Sequence, residues 1–141
     1  MALTYLVDTN TISELERLPP EPNVNAQLQV HWDQIALAAV SWHELLYGFY
    51  RLPDSKRKQR VEYFIKQTVE PTIPILPYTA AAAKWFAIER TRLSRIGRPP
   101  SYPNGQIAAV AFTNNLTLVT RNTKDFEHFI DLRLENWFHK T

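Results

Sequence analysis

Short apolar runs alternate with longer amphipathic segments along the chain, and this alternation predicts both the elements and the fold class. The apolar runs predict strands at residues 3–7, 35–40, 73–76, 116–120 and 132–137. The segments between them predict helices at residues 11–18, 25–33, 41–50, 54–69, 79–96 and 104–115. Pro74 cannot donate to a sheet ladder, so the third strand is expected at an edge, as is the last. Strands that alternate with helices are typical of α/β proteins, and we predict a mostly parallel central sheet covered by helices on both faces.

Length and composition indicate one domain over residues 1–141. A chain of 141 residues lies within the usual ~100–200 residues of a domain, and 45% hydrophobic with 21% charged residues are globular values. No basic segment precedes the first apolar run, and no run approaches the ~18 apolar residues of a membrane span. We therefore expect a cytoplasmic protein with no signal peptide and no membrane contact.

Cysteine and glycine are too scarce for several kinds of site. Cysteine is absent, which excludes catalytic thiols, disulfides and zinc–thiolate centres. Only three glycines are present and no Gly-rich phosphate loop occurs, which excludes nucleotide-dependent enzymes that use such loops. The formal net charge of +2, from 16 basic and 14 acidic residues, does not by itself predict nucleic-acid binding.

Acidic residues lie where three of the predicted strands end. Asp8 and Asp125 follow the first and fourth strands, and Glu44 lies in the first turn of the helix after the second strand. Ligands of open α/β sheets bind beyond the carboxyl ends of the strands, so we expect the three acids to meet there. Clustered carboxylates need a cation, and oxygen ligands without cysteine favour Mg²⁺ or Mn²⁺.

Each acid also has a purely structural interpretation. Glu44 completes an S-x-x-E capping box with Ser41, the expected N-cap of its helix. Asp8 fits a turn that caps the next helix, and Asp125 fits the start of a solvated turn. Glu14 is interpreted as part of a solvated helical face. The residues alone leave both kinds of interpretation open.

Five segments resemble, in order and spacing, the signature segments of PIN-domain proteins, most closely the VapC/FitB-type toxins of bacterial toxin–antitoxin pairs. They are LVDTN at 6–10, ISEL at 12–15, SWHELLYG at 41–48, QIAAVA at 106–111 and LVTRNTKDF at 118–126. The resemblance implies a PIN-like three-layer α/β/α sandwich and a Mg²⁺-dependent endoribonuclease that acts on structured RNA such as tRNA. It also implies a homodimer and a cognate VapB-type antitoxin, which neutralises the toxin and mediates any contact with DNA.

The resemblance extends to individual site residues. Asp8, Glu44 and Asp125 match the acidic residues that hold the metal and serve catalysis in the family. The other matches are polar residues around these ligands, namely Asn10, Thr120 and Asn122. Asn10 corresponds to a partner of the first aspartate, and the other two correspond to residues that line the pocket.

Asn104 departs from the family pattern, which carries an aspartate at this catalytic and metal-binding position. Asparagine keeps an oxygen for a metal but loses the negative charge, and it cannot accept a proton from water. We therefore expect a weak or inactive nuclease with an intact fold, either a deliberately inactivated form or a natural member of low activity. Asn104 also suits a helix N-cap, which explains why the fold tolerates it.

Basic residues near the expected site are candidates for holding the phosphate backbone of RNA. They are Arg92, Arg95, Arg98, Arg121 and Lys124. The basic cluster at residues 56–60 is interpreted instead as a solvated helix face, and His43 is not expected to face the pocket.

Two other functions are compatible with the residues. A non-catalytic module of the same fold would bind an antitoxin or RNA without cleaving it, and Mn²⁺ binding distinguishes it from a nuclease. A phosphatase or phosphotransferase would use Asp8 as its nucleophile. It would also need a lysine near a strand end, for which Lys124 is the one candidate.

Overall fold

The computed structural model describes residues 2–139 and arranges five short strands in one sheet. The strands are β1 (Tyr5–Val7), β2 (Ile35–Ala38), β3 (Ile75–Leu76), β4 (Thr117–Val119) and β5 (Leu134–Glu135). Their order is β3-β2-β1-β4-β5, and all neighbouring pairs are parallel. The predicted parallel sheet is confirmed, with β3 and β5 at its edges as expected.

Six helices connect the strands or follow them. They are α1 (Thr9–Ile12), α2 (Pro22–His31), α3 (Ala39–Tyr50), α4 (Lys56–Phe64), α5 (Ala80–Arg95) and α6 (Tyr102–Thr113). Short 3₁₀ turns lie at Ser13–Glu16, Trp32–Gln34 and Thr123–Asp125, and a π-helical turn at Ile65–Val69 extends α4. Within residues 2–139, every helix is too short or too polar to cross a membrane.

Successive side chains of the strands pack on opposite faces of the sheet, which produces three layers. Val7 and Val119 pack on one face among buried apolar residues of α1, α2, α3 and α4. Leu6 and Leu118 pack on the other face against α6 and the end of α5. Helices therefore cover both faces of the sheet, and the predicted α/β/α sandwich is confirmed.

Two helices at the carboxyl edge of the sheet begin earlier than predicted. α1 begins at Thr9 rather than residue 11, because the Asp8 side chain caps it by accepting a hydrogen bond from the Thr9 N–H at 2.8 Å. α3 begins at Ala39, directly after β2, so Ser41 lies inside its first turn. The Ser41 hydroxyl is buried and has no hydrogen-bond partner among the described residues. The predicted N-cap at Ser41, and with it the capping box of Glu44, is wrong.

α6 also begins before its predicted start. Its N-cap is Ser101, whose hydroxyl accepts a hydrogen bond from the N–H of Asn104 at 3.3 Å. Pro103 fits the first turn, where a backbone N–H has no helical acceptor. Asn104 is therefore not the N-cap that the sequence suggests, and capping does not explain its side chain.

Gly105 determines how closely α5 approaches α6. A Cβ atom at this buried position would lie 1.9 Å from Cε1 of Phe86, which projects from α5 and is itself buried. The missing side chain therefore admits the Phe86 ring against the backbone of α6. This contact positions the first turn of α6, and Asn104 with it.

Candidate active site

Asp8 lies at the carboxyl end of the central strand, and its side chain is buried and held by two hydrogen bonds. Oδ1 accepts from the N–H of Thr9 at 2.8 Å, and Oδ2 accepts from the hydroxyl of Thr120 at 3.0 Å. Thr120 reaches Asp8 because it follows β4, the parallel neighbour of β1. The two contacts orient the carboxylate, and each oxygen retains a lone pair for a further ligand.

Thr9 connects Asp8 to the second acid of the candidate site. Its hydroxyl donates to Oε2 of Glu44 at 3.0 Å, while the carbonyl of Ser41 is a more distant acceptor at 3.4 Å. Glu44 projects from α3 and is half-buried. The sequence interpretation missed Thr9 and named Asn10 as a partner of the aspartate; Asn10 is exposed, and its role stays a prediction. The one available signal was that Thr9 directly follows Asp8 at a strand end.

Burial raises the pKa of both carboxyl groups. For Asp8, desolvation is the largest effect, and the hydrogen bonds from Thr9 and Thr120 lower the pKa by less. For Glu44, desolvation raises the pKa most, the Thr9 hydroxyl lowers it, the negative charge of Asp8 raises it, and the neighbouring His43 lowers it by less. Among residues 2–139, no basic side chain forms an ion pair with either acid. Two carboxyl groups are therefore held close together without an ion pair among the described residues, an arrangement that favours binding of a cation.

Asn104 and Asp125 line a different cleft, of about 470 Å³. Asp125 ends the 3₁₀ turn after β4, and its side chain is exposed. In the part of the chain that the structure describes, no three acidic or imidazole side chains are grouped so that they could hold one ion. The structure thus brings Asp8 and Glu44 together but does not add Asp125 to them. The role of Asp125 as a ligand stays a prediction.

Asn10 and Asn122, the other two predicted asparagines, border a larger cleft, of about 650 Å³. Asn10, Glu44, Arg121 and Asn122 all line this cleft. The N–H of Asn122 donates to the hydroxyl of Thr120 at 3.1 Å, so the loop after β4 is tied to the group that holds Asp8. The cleft therefore gives a polar ligand access to Glu44.

The predicted RNA-binding cations differ in their surroundings. Arg92 is bound by the buried Glu89, at 2.8 and 3.0 Å, and by the carbonyl of His128 at 2.7 Å. It therefore links α5 to the segment before β5, and a contact with RNA would compete with these bonds. The other four candidates have exposed side chains: Arg95, Arg98, Arg121 and Lys124.

One minor expectation from the sequence is wrong. Glu14 is 7% exposed rather than solvated, because Oε1 accepts from the N–H of Glu21 at 3.0 Å and closes the loop before α2. His43, which the sequence does not place at the pocket of the acids, lines a third cleft together with Glu44. Glu44 itself lines both this cleft and the larger cleft of Asn10 and Asn122.

Comparison with known proteins agrees with this architecture. The family model described as the PIN domain matches residues 5–131. The tRNA(fMet)-specific endonuclease VapC of Shigella flexneri is 31% identical over 137 residues, which are 96% of this chain and 98% of the relative. Toxin FitB of Neisseria gonorrhoeae is 32% identical over 124 residues, which are 86% of this chain and 89% of the relative.

A solved structure agrees over a similar span. The structure of FitAB bound to an IR36 DNA fragment contains a chain that superposes with a TM-score of 0.88 at 30% identity, covering 98% of both chains. The sheet order, the acids at the strand ends and the match over residues 5–131 lead to one conclusion. The chain belongs to the PIN-domain family.

Proposed function

We propose that this protein is a metal-dependent endoribonuclease toxin of a toxin–antitoxin pair, weakened in this chain by Asn104. The relative from Shigella flexneri is named as an endonuclease specific for tRNA(fMet), and the relative from Neisseria gonorrhoeae is named as a toxin. Structured RNA such as tRNA is therefore the substrate class that we propose, and the cytoplasm is where the protein would meet it.

The pair of Asp8 and Glu44 is the observation that carries this proposal. Both carboxyl groups are partly or wholly removed from water, both have a raised pKa, and Thr9 holds them together. Mg²⁺ is commonly bound by one or two carboxylates while it retains several waters. This donor set of hard oxygens therefore fits Mg²⁺, or Mn²⁺, without a third carboxylate.

Residues of this chain would perform the remaining tasks of the reaction. When bound, a divalent ion supplies polarisation of the scissile phosphate and a water of lowered pKa. Asp8 and Glu44 would hold the ion, and Thr9 and Thr120 keep Asp8 oriented for it. Asn104 offers an oxygen but no negative charge, so it would hold a cation more weakly than an aspartate and cannot accept a proton from water.

Restoring the acid at position 104 tests the proposal. We expect Asn104→Asp to raise EDTA-sensitive cleavage of tRNA in Mg²⁺ or Mn²⁺ by about tenfold or more, the scale on which groups around a metal change activity. Asn115→Asp adds the same charge at an exposed position after α6 and is the matched control. Sequencing of the cleaved RNA ends gives the target and the position of the cut. Failure of Asn104→Asp to cleave RNA or to bind Mn²⁺ would favour the non-catalytic binding module.

The partner that we propose is a VapB-type antitoxin, bound to a homodimer of this chain. The support is the FitAB structure, in which a chain of the same fold occurs in a complex bound to DNA. Contact with DNA would come through the antitoxin. Expression of the Asn104→Asp variant is expected to arrest growth, and co-expression of the antitoxin is expected to relieve the arrest. Relief by an unrelated DNA-binding protein would contradict a specific pairing.

A further inference from the structure

Three exposed side chains on α3 and its C-cap form a stripe, the α3 stripe, that the metal-binding acids do not explain. His43, Tyr47 and Arg51 follow one another at four-residue intervals, which places them on one face of the helix and its C-terminal cap. The rings of His43 and Tyr47 are nearly parallel, with 5° between their planes and 6.2 Å between their centres. The guanidinium of Arg51 lies 4.7 Å from the centre of the Tyr47 ring. Tyr47 is 55% exposed.

This α3 stripe borders the cleft that Glu44 shares with His43. The cleft has a volume of about 720 Å³, and Pro103 and Gln106 line it from α6. The amide of Gln106 offers both donors and an acceptor. A planar, polar group in the cleft would therefore meet an aromatic ring from α3 and an amide from α6. If this group belonged to a polymer, the next unit of the polymer would lie beside the carboxylate of Glu44, a candidate catalytic residue.

We infer that the α3 stripe binds one unpaired nucleotide of the RNA substrate, with its base stacked on Tyr47 and a phosphate paired with Arg51. The inference rests on the proposed ribonuclease function and identifies the part of the substrate next to Glu44. An unpaired nucleotide is required because the faces of a base are covered in a duplex and are accessible in loops and single strands.

The contact between Arg51 and Tyr47 does not prevent stacking of a base. An exposed cation–π contact favours the closed pair by only about twofold to fivefold. Stacking of a base on an aromatic side chain strengthens binding by about fivefold to a hundredfold. A base therefore displaces the guanidinium from the ring. The displaced Arg51 stays within reach and forms a charge-assisted hydrogen bond with a phosphate.

The inference is tested by RNA binding without cleavage. A fluorescently labelled single-stranded RNA of about 12 nucleotides, long enough to extend beyond one stacking site, is titrated with the full chain in EDTA, and its anisotropy is measured. Tyr47→Leu is expected to weaken binding by about fivefold or more, whereas Tyr47→Phe keeps the ring and stays within about twofold of the parent. Tyr63→Leu, which removes another exposed ring on α4, is the matched control and stays within the same limit.

Salt dependence separates the ring from the charge. Arg51→Gln removes one phosphate contact, so the slope of log affinity against log salt concentration becomes shallower by about 0.7. Tyr47→Leu lowers affinity without changing that slope. All these positions are exposed, so the substitutions are not expected to disturb folding. Thermal unfolding of each variant checks that a loss of RNA affinity is not caused by misfolding.

Several results would overturn the α3 stripe as an RNA site. They are no binding by the parent chain, equal losses for Tyr47→Leu and Tyr63→Leu, equal affinity for a blunt duplex, or a loss of affinity that follows a change in oligomeric state. The last result would instead assign the stripe to an interface between two copies. Cleavage by Asn104→Asp with unchanged binding by Tyr47→Leu overturns the stripe alone, whereas selective loss of binding without any cleavage supports the stripe and overturns the ribonuclease.

Discussion

Thr9 is the residue on which the relative position of the two acids depends. Its N–H binds Asp8 and its hydroxyl binds Glu44, so one residue connects the end of β1 to α3. The hydroxyl also lowers the pKa of Glu44, because it stabilises the charged carboxylate. A group that acts only through two other side chains is a positioning residue, and its removal is expected to alter metal binding more than folding.

Thr9→Val keeps the β-branched shape and the N–H bond to Asp8 but removes the donor to Glu44. We expect Mn²⁺ affinity to fall about tenfold, as it does when groups behind metal ligands are removed. We expect unfolding free energy to fall by only about 1 kcal/mol, the net value of a partly exposed hydrogen bond. Electron paramagnetic resonance titration measures the first quantity and urea unfolding the second.

Thr9→Ser retains the hydroxyl and is the matched control. It should bind Mn²⁺ with nearly the parent affinity. NMR titration should also show a higher Glu44 pKa in Thr9→Val than in Thr9→Ser, because only the valine variant loses the bond that favours the charged form. Equal Mn²⁺ affinity in the two variants would show that Thr9 does not position the acids.

At the scale of elements, apolar runs were sufficient to predict which segments form strands, but not where the following helices begin. Ala39 and Val40 continue the apolar run of β2, so the sequence extends the strand to residue 40 although α3 starts at Ala39. Serine is a common N-cap residue, but Ser41 is buried inside the first turn of α3. Hydrophobic periodicity cannot distinguish a buried strand end from a buried helix start.

One part of the candidate site follows from the order of the strands along the chain, and another part follows from the packing of the helices. The proximity of Asp8 and Thr120 follows from two neighbouring parallel strands, and chain order is enough to predict it. The bond from Thr9 to Glu44 depends on the distance between the start of α1 and the face of α3. That distance is determined by packing of the core beneath both helices, which no local motif encodes.

Packing of α5 on α6 can be tested at a single glycine. In an exposed helix, Gly→Ala stabilises by up to about 1 kcal/mol. Gly105→Ala is instead expected to destabilise by about 1–3 kcal/mol, because the new methyl group would overlap the Phe86 ring and overpack the core. Gly48→Ala is the matched control on α3, where a Cβ meets nothing within 4 Å, and it should be neutral or stabilising. Urea unfolding curves compare the two, and equal effects would show that Gly105 does not control the approach of the helices.

For the whole molecule, the net charge of +2 conceals an uneven distribution of charge. Asp8 and Glu44 lie close together without an ion pair among the described residues, while several arginines and Lys124 line the neighbouring clefts. Such a distribution attracts RNA to the surface and a cation to the acids. It also means that, without a cation, the site reduces the stability of the entire fold.

Asp8→Asn measures this effect on global stability. In the parent chain, burial raises the pKa of Asp8 above its value in the unfolded chain, so the ionised carboxylate reduces stability at pH values above the raised pKa. As the pH falls through the raised pKa, the folded protein takes up the proton first, and this loss of stability disappears. Asparagine preserves an acceptor for the Thr9 N–H without the charge, although its single oxygen serves only one of the two donors that Asp8 binds. In EDTA at neutral pH, Asp8→Asn should therefore be more stable than the parent by about 0.5–2 kcal/mol, the range of single stabilising substitutions. The gain should shrink as the pH is lowered through the acid range, and Mn²⁺ should raise the unfolding temperature of the parent but not of the variant.

Calorimetry with and without Mn²⁺ measures these effects. A variant that is less stable than the parent in neutral EDTA would show that desolvation of Asp8 is not the dominant contribution to its stability.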